Sequence, residues 1–229
     1  MKISKRLKEA GQLIEEDKLY TLEEAVDIFK KTPVLKFDES VELAFVLGVD
    51  PKHADQMVRG AVVLPAGSGK TKKILVLAKG DAAKQAQEAG ADYVGDKDLI
   101  DKIAKGWFDF DAVVAEPAMM KEASILGKVL GPKGLMPSPK AGTVTKDTAK
   151  AVNELKAGKI EFKVNKAGGI NLSIAKLSFE VKDICKNAQT VIDAIVKAKP
   201  AVSKGKYLKK LAISTTMGLG LRLDIGRIV

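Results

Sequence analysis

The segment Gly67-Ser68-Gly69-Lys70-Thr71 holds the residue types with which a chain cradles a phosphate: a glycine-rich turn, then a lysine and a hydroxyl. A phosphate loop also needs a glycine five positions before Gly69, where Leu64 stands. It must then open a helix whose free N–H groups meet the anion, yet the following KKILVLAK has the apolar continuity of a strand. The segment therefore reads as a linker. His53 is the only histidine and Cys185 the only cysteine, too few for a His/Cys metal cluster. A Cys185–His53 nucleophile pair is conceivable, but Cys185 neighbours the apolar stripe of a helix and His53 sits in a polar turn. Carboxylates occur as helix-face charges rather than as an isolated pair. No catalytic residue, no metal and no cofactor are expected, and the chain does not read as an enzyme.

Two other segments offer binding chemistry. Ser214-Thr215-Thr216-Met217-Gly218 ends a strand with hydroxyls and a Met, then glycines that let another backbone come close. That set suits the 2′-hydroxyls and sugar edges of an RNA minor groove, or else an ordinary strand end and turn. Lys204, Lys206, Lys209 and Lys210 lie just upstream, where they could hold phosphates. The loop over residues 131–142, GPKGLMPSPKAG, has three prolines, three glycines and two lysines on an irregular path. It reads equally as a rigid crossover or as a preorganised nucleic-acid contact.

Charge supports the binding readings only through its distribution. The 229 residues carry a formal charge of +10, which suits a polyanion, an anionic membrane surface or plain solubility. Residues 1–66 hold 10 basic and 12 acidic side chains, residues 67–157 hold 15 and 12, and residues 158–229 hold 14 and 5. Nearly all the excess thus lies in the last third. With a lone cysteine, a charged start lacking the apolar core of a signal peptide and no apolar run near the ~20 residues of a membrane helix, a cytoplasmic protein is expected.

These segments need elements to position them. Residues 3–17 have helical spacing at Ile3, Leu7, Ala10 and Ile14, and Thr21 with Glu24 has the form of a capping box opening a helix that Pro33 stops. Val41, Leu43, Phe45 and Leu47 then alternate with polar positions as a half-buried strand, and a second strand is expected at 61–64. From residue 72 the pattern changes to buried strands (72–79, 93–94, 112–115) alternating with helices, the mark of a parallel α/β unit. Period two returns at Ile160, Phe162 and Val164 and at Ile170, Leu172 and Ile174, followed by an amphipathic helix over 179–199 and a strand through Leu211 and Ile213. The half-buried style appears only before 66 and after 158. The expected fold class is therefore α/β in two domains: a discontinuous α+β split-sheet domain from residues 1–66 plus 159–229, and an inserted Rossmann-like parallel domain over 67–158. Gly67, Ser68, Gly69 and Gly158, in the two crossing linkers, are the expected hinge. No GxGxxG occurs in the insert, so a nucleotide-dependent α/β enzyme is the disfavoured alternative.

KFDESVEL (36–43), GVDPKHADQMVRGAVVLPAGSGK (48–70), LGPKGLMPSPKAGTV (130–144) and SKGKYLKKLAISTTMGLG (203–220) resemble, in register from end to end, the ribosomal protein L-one family of the large subunit. The resemblance implies a discontinuous domain plus a Rossmann-like insert. It implies binding to large-subunit (23S) rRNA at the mobile stalk beside the tRNA exit site, help in releasing deacylated tRNA, and repression of the protein's own operon mRNA as a monomer off the ribosome. By the family pattern the RNA surface would include Lys36, Phe37, Glu39, Ser40 and Glu42, then Lys166 and Gly168, with Ser214, Thr215, Thr216, Met217 and Gly218 at its heart. Leu219 departs from a pattern in which many relatives carry Pro.

Overall fold

Thr21 and Glu24 form the capping box that the sequence predicts: the Glu24 N–H donates to Thr21 Oγ1 at 3.3 Å, and the Thr21 N–H donates to Glu24 Oε2 at 3.1 Å. A computed structural model of the chain describes residues 5–15, 18–33, 35–203 and 205–228. Its helices and strands run in the order α1 (Lys5–Gln12), α2 (Leu22–Lys31), β1 (Ser40–Leu47), β2 (Arg59–Val63), β3 (Ile74–Leu77), α3 (Asp81–Glu88), β4 (Tyr93–Gly95), α4 (Lys97–Ala104), β5 (Ala112–Ala115), α5 (Met120–Ala123), α6 (Gly127–Lys133), α7 (Thr148–Lys156), β6 (Lys159–Lys163), β7 (Gly169–Lys176), α8 (Val181–Lys197), β8 (Leu208–Thr215), β9 (Leu221–Arg222) and α9 (Ile225–Ile228). The expected helix over 3–17 is described only as α1, and Ile3 lies outside the described residues.

The chain falls into two compact units, residues 1–69 with 161–229, and residues 70–160. The first holds an antiparallel sheet in the order β7-β1-β8-β9. Alternation sends Val41, Leu43, Phe45 and Leu47 of β1, Ile170, Leu172 and Ile174 of β7, and Leu211 and Ile213 of β8 to one buried face. Helix α8 packs on β7 and against α2, and Ala25, Val26, Phe29, Ile184, Val191 and Ile195 complete this core. Each of the larger of these side chains contributes about 1.5–3 kcal/mol by leaving water. The opposite face presents Glu42 and Val46 of β1, Asn171 of β7 and Lys210 of β8 to solvent. Strands β2 and β6 form a separate pair.

In the second unit three parallel strands lie in the order β4-β3-β5. Every residue of β3 is buried, because alternate positions serve two cores. Leu75 and Leu77 join Ile103 of α4 with Leu126 and Leu130, while Ile74 and Val76 join Ala86 of α3 and Val152 and Leu155 of α7. The expected loop over 131–142 is partly helical: α6 continues through Pro132 to Lys133. Its end is closed by Gly134 at φ 72°, whose neighbour Leu135 donates to the Leu130 carbonyl at 3.0 Å. Pro132 is tolerated there because it deletes a single amide at the last turn.

Candidate nucleic-acid interface

The edge of the sheet where β8 leaves β1 brings the residues 214–218 against the start of β1. Ser214 pairs with Glu42 and Thr215 with Val41, so Ser214 lies on the solvent face and Thr215, 5% exposed, on the core face. At the next residue the chain turns, and Thr216 is fastened to Ser40 three ways. The Thr216 N–H donates to the Ser40 carbonyl (3.1 Å), the Ser40 N–H donates to Thr216 Oγ1 (2.9 Å), and the Thr216 hydroxyl donates back to that carbonyl (3.4 Å). The three hydroxyls are not displayed alike. Thr215 is buried, Thr216 spends its hydroxyl on the backbone, and Ser214 is the half-exposed one.

Met217 is held by its peptide and displayed by its side chain. Its N–H donates to the Glu39 carboxylate at 2.9 Å, and its carbonyl accepts from the Arg6 guanidinium, which also lies 3.8 Å from that carboxylate. Glu39 is 3% exposed, so its carboxylate positions Met217 rather than facing a ligand. The Met217 side chain, by contrast, is 56% exposed. Gly218 completes the turn, its N–H donating to the Thr215 carbonyl at 3.2 Å. A Cβ at 218 would fall 2.1 Å from Thr215 Oγ1, so only glycine fits. Leu219 lines a small apolar recess with Leu7, Ala10, Ile28 and Phe29, which gives the side chain a packing role at this departure from the family pattern.

Lys36 and Phe37 are exposed just before β1, on the rim of a groove that also includes Asp38 and Ser178. Lys166 is exposed and Gly168 buried, and both sit at the far end of β1. Gly169 pairs with Val46 whereas Ser40 pairs with Lys176, roughly 20 Å away at ~3.3 Å per residue. The structure thus brings Ser40 and Glu42 to the 214–218 edge, sets Lys36 and Phe37 on a groove with Leu177 and Ser178, and leaves Lys166 at the opposite end. A register shift in β8 beside Val46 lets the consecutive residues Lys209 and Lys210 both reach solvent. Lys204 lies outside the described residues.

Arg6 was not singled out by the sequence, and no spacing signals it. Asn187 was missed too. Fully buried on α8, it accepts from the Ala66 N–H (3.0 Å) and donates to the Gly67 (2.9 Å) and Ile174 (2.9 Å) carbonyls. Gly67 and Gly69 take φ of 76° and 67°, and Gly158 takes 104°. Asn187 fastens the expected hinge residue Gly67 to the first unit, and the second unit begins only at Lys70. After Thr71 the chain enters β3, not a helix.

Cys185 is half-buried, and burial first, then the Glu23 and Asp27 carboxylates, push its thiol above the usual range, away from nucleophilic use. It faces α2, while His53 is exposed in the turn before β2. Among the described residues no three His, Cys, Asp or Glu side chains converge as ligands, and no helix is long and apolar enough to cross a membrane. Set against known families, the chain matches the model of the Ribosomal protein L1p/L10e family over residues 29–219.

Proposed function

The chain belongs to the Ribosomal protein L1p/L10e family and is a ribosomal protein that binds rRNA of the large subunit, and we propose that it does so through the 214–218 edge of the β7-β1-β8-β9 sheet. The observation that carries this is the clamp on Met217. Both polar groups of its peptide are fixed from elements distant in sequence, so its side chain stands outward beside a backbone that cannot relax. Such preorganisation lowers the ordering cost of binding. Met217 and Phe37 supply apolar contact to sugars and bases, and Ser214 with Ser40 and Glu42 faces 2′-hydroxyls in a shallow minor groove. Lys36, Lys166, Lys209 and Lys210 supply the salt-dependent attraction.

The resemblance carries the reading further. The RNA lies in the mobile stalk beside the tRNA exit site, and the protein assists release of deacylated tRNA. Off the ribosome, as a cytoplasmic monomer, it represses its own operon by binding a similar mRNA structure. It performs no catalysis. The domain drawn from residues 1–66 and 159–229 holds the RNA, and the inserted domain over 67–158 swings on the two linkers, with its pivot beyond the Asn187 clamp.

The test is a competition between a stalk rRNA fragment and random RNA of equal length. The wild-type chain should prefer the stalk fragment by ~10³-fold or more at physiological salt, the usual margin of specific over non-specific binding. The Met217→Ala variant, which removes only an exposed side chain, should lose that preference while keeping its melting temperature. Wild-type discrimination in the variant would refute the assignment, and equal affinity of the wild-type chain for both RNAs would reduce it to a general cationic scaffold.

A further inference from the structure

The chain's six methionines differ in what surrounds their sulfur. Met119 is buried, and Met120 and Met136 pack partly buried against a core of the second unit. Among the described residues only Met57 and Met217 are exposed, at 47% and 56%. Met57 precedes β2, a strand of the separate β2–β6 pair, whereas Met217 stands at the edge of the β7-β1-β8-β9 sheet. A thioether is an apolar group that an oxidant turns polar, and it reacts where the oxidant can reach it.

The setting of Met217 makes that reaction a change of surface chemistry rather than of fold. Its N–H is held by Glu39 and its carbonyl by Arg6. On one side Thr216 is fastened to Ser40, and on the other Gly218 closes the turn on the Thr215 carbonyl. The backbone is therefore fixed without help from the Met217 side chain, and an oxygen added to its exposed sulfur displaces no core group. That oxygen is a strong hydrogen-bond acceptor. RNA seated on the edge would strip it of water where the thioether had made an apolar contact. Burying a polar group without a partner weakens binding by ~10-fold or more.

We infer that Met217 is a site of reversible oxidation that switches off RNA binding, an inference that rests on the rRNA reading of the 214–218 edge. Hydrogen peroxide is the oxidant. A sulfur lone pair attacks one peroxide oxygen, the O–O bond breaks and an S–O bond forms. The departing hydroxide takes up the proton of the transferred oxygen and leaves as water. Sulfur loses two electrons and the peroxide gains them. Two thiols of a methionine sulfoxide reductase reverse the step, becoming a disulfide as the oxygen leaves in water. RNA on the edge covers the sulfur, so the free chain is modified and the bound chain is spared.

The experiment treats the full chain with hydrogen peroxide until part of Met217 is sulfoxide, removes the oxidant, and offers the mixture a limiting amount of immobilised stalk rRNA fragment. Peptide mass mapping of the bound and unbound chains then gives the sulfoxide content at each methionine. Sulfoxide at Met217 should be ~10-fold scarcer among bound chains, while sulfoxide at the equally accessible Met57 divides evenly. Reductase treatment should return the unbound chains to binding, and oxidised and untreated chains should melt alike. Even partition of the Met217 sulfoxide, equal depletion at both methionines, or a lowered melting temperature overturns the proposal. The Met217→Ala variant, assayed beside the oxidised chain, separates the two readings. If it loses its stalk preference while the sulfoxide partitions evenly, only the oxidation site falls. If it keeps wild-type discrimination, the 214–218 reading falls and the oxidation site with it.

Discussion

The backbone N–H of Met217 donates to the Glu39 carboxylate at 2.9 Å across 178 residues of sequence, and Arg6 closes the same peptide from its carbonyl side. Two chain ends are thereby joined at Met217, whose side chain stands exposed. Glu39→Ala removes the acceptor, leaving Met217's amide without its partner and Arg6's guanidinium with the Met217 carbonyl but no carboxylate. A buried donor left unsatisfied costs about 1–3 kcal/mol. Denaturant unfolding should register that loss, and filter binding should show rRNA affinity falling ~10-fold or more. Glu39→Gln keeps an acceptor oxygen and should retain most of both. Wild-type rRNA affinity in Glu39→Ala would remove the clamp from the binding mechanism.

Gly218 and Thr215 form a second testable pair. Gly218→Ala places a methyl 2.1 Å from Thr215 Oγ1, and the buried, β-branched Thr215 has little room to turn away. Overpacking of this kind costs about 1–3 kcal/mol. In a Thr215→Ala background the collision disappears, so the cost of Gly218→Ala should shrink sharply. A double-mutant cycle on urea midpoints measures this coupling, and additive losses would show that the two positions do not meet.

Local chemistry was legible in the sequence, and long-range pairing was not. The strand alternation at 41–47 and 170–174 and the capping box at Thr21 each follow from neighbours a few residues apart, so the pattern itself encodes them. The continuous run ILVL announces a strand with a core on both faces, and the two clusters around β3 answer it. The hydroxyls of 214–216 marked the candidate site, and alternation from Leu211 and Ile213 puts Thr215 on the core face, but nothing in their spacing says that Thr216 would bond to Ser40. Arg6 meets Met217 across 211 residues and Asn187 meets Ala66 across 121, and no periodicity carries such partnerships. Glu39 entered through family resemblance alone, which does not distinguish a carboxylate that touches RNA from one that holds the residue that does.

Asn187 makes the linker's first residues part of the first unit. Asn187→Ala strands the Ala66 amide and the Gly67 and Ile174 carbonyls, all three served by one side chain. The expected loss is ~3 kcal/mol of stability, since each buried unsatisfied group costs about 1–3 kcal/mol and water can reach some of them. Hydrogen exchange gives the specific check: the Ala66 amide should lose protection far more than amides of β3. Unchanged protection at Ala66 would mean that this side chain does not hold the linker.

Tyr207 supplies a prediction at alkaline pH. Its phenol donates to the Ile195 carbonyl at 3.1 Å, and burial pushes its pKa up to about 12. An unfolded chain ionises tyrosine near ~10, so the folded state holds this proton more tightly. The resulting stability is complete below pH ~10 and declines as pH rises from there toward 12, because the unfolded state gives up the proton first. Tyr207→Phe has no proton to lose. It should be less stable than the wild type at pH 8, by about 1 kcal/mol for the missing hydrogen bond, and should decline less steeply between pH 10 and 12. Lysine deprotonation in that range affects both proteins alike, so the difference between their urea midpoints isolates Tyr207. Parallel decline of the two curves would show that the phenol ionises as freely in the fold as outside it.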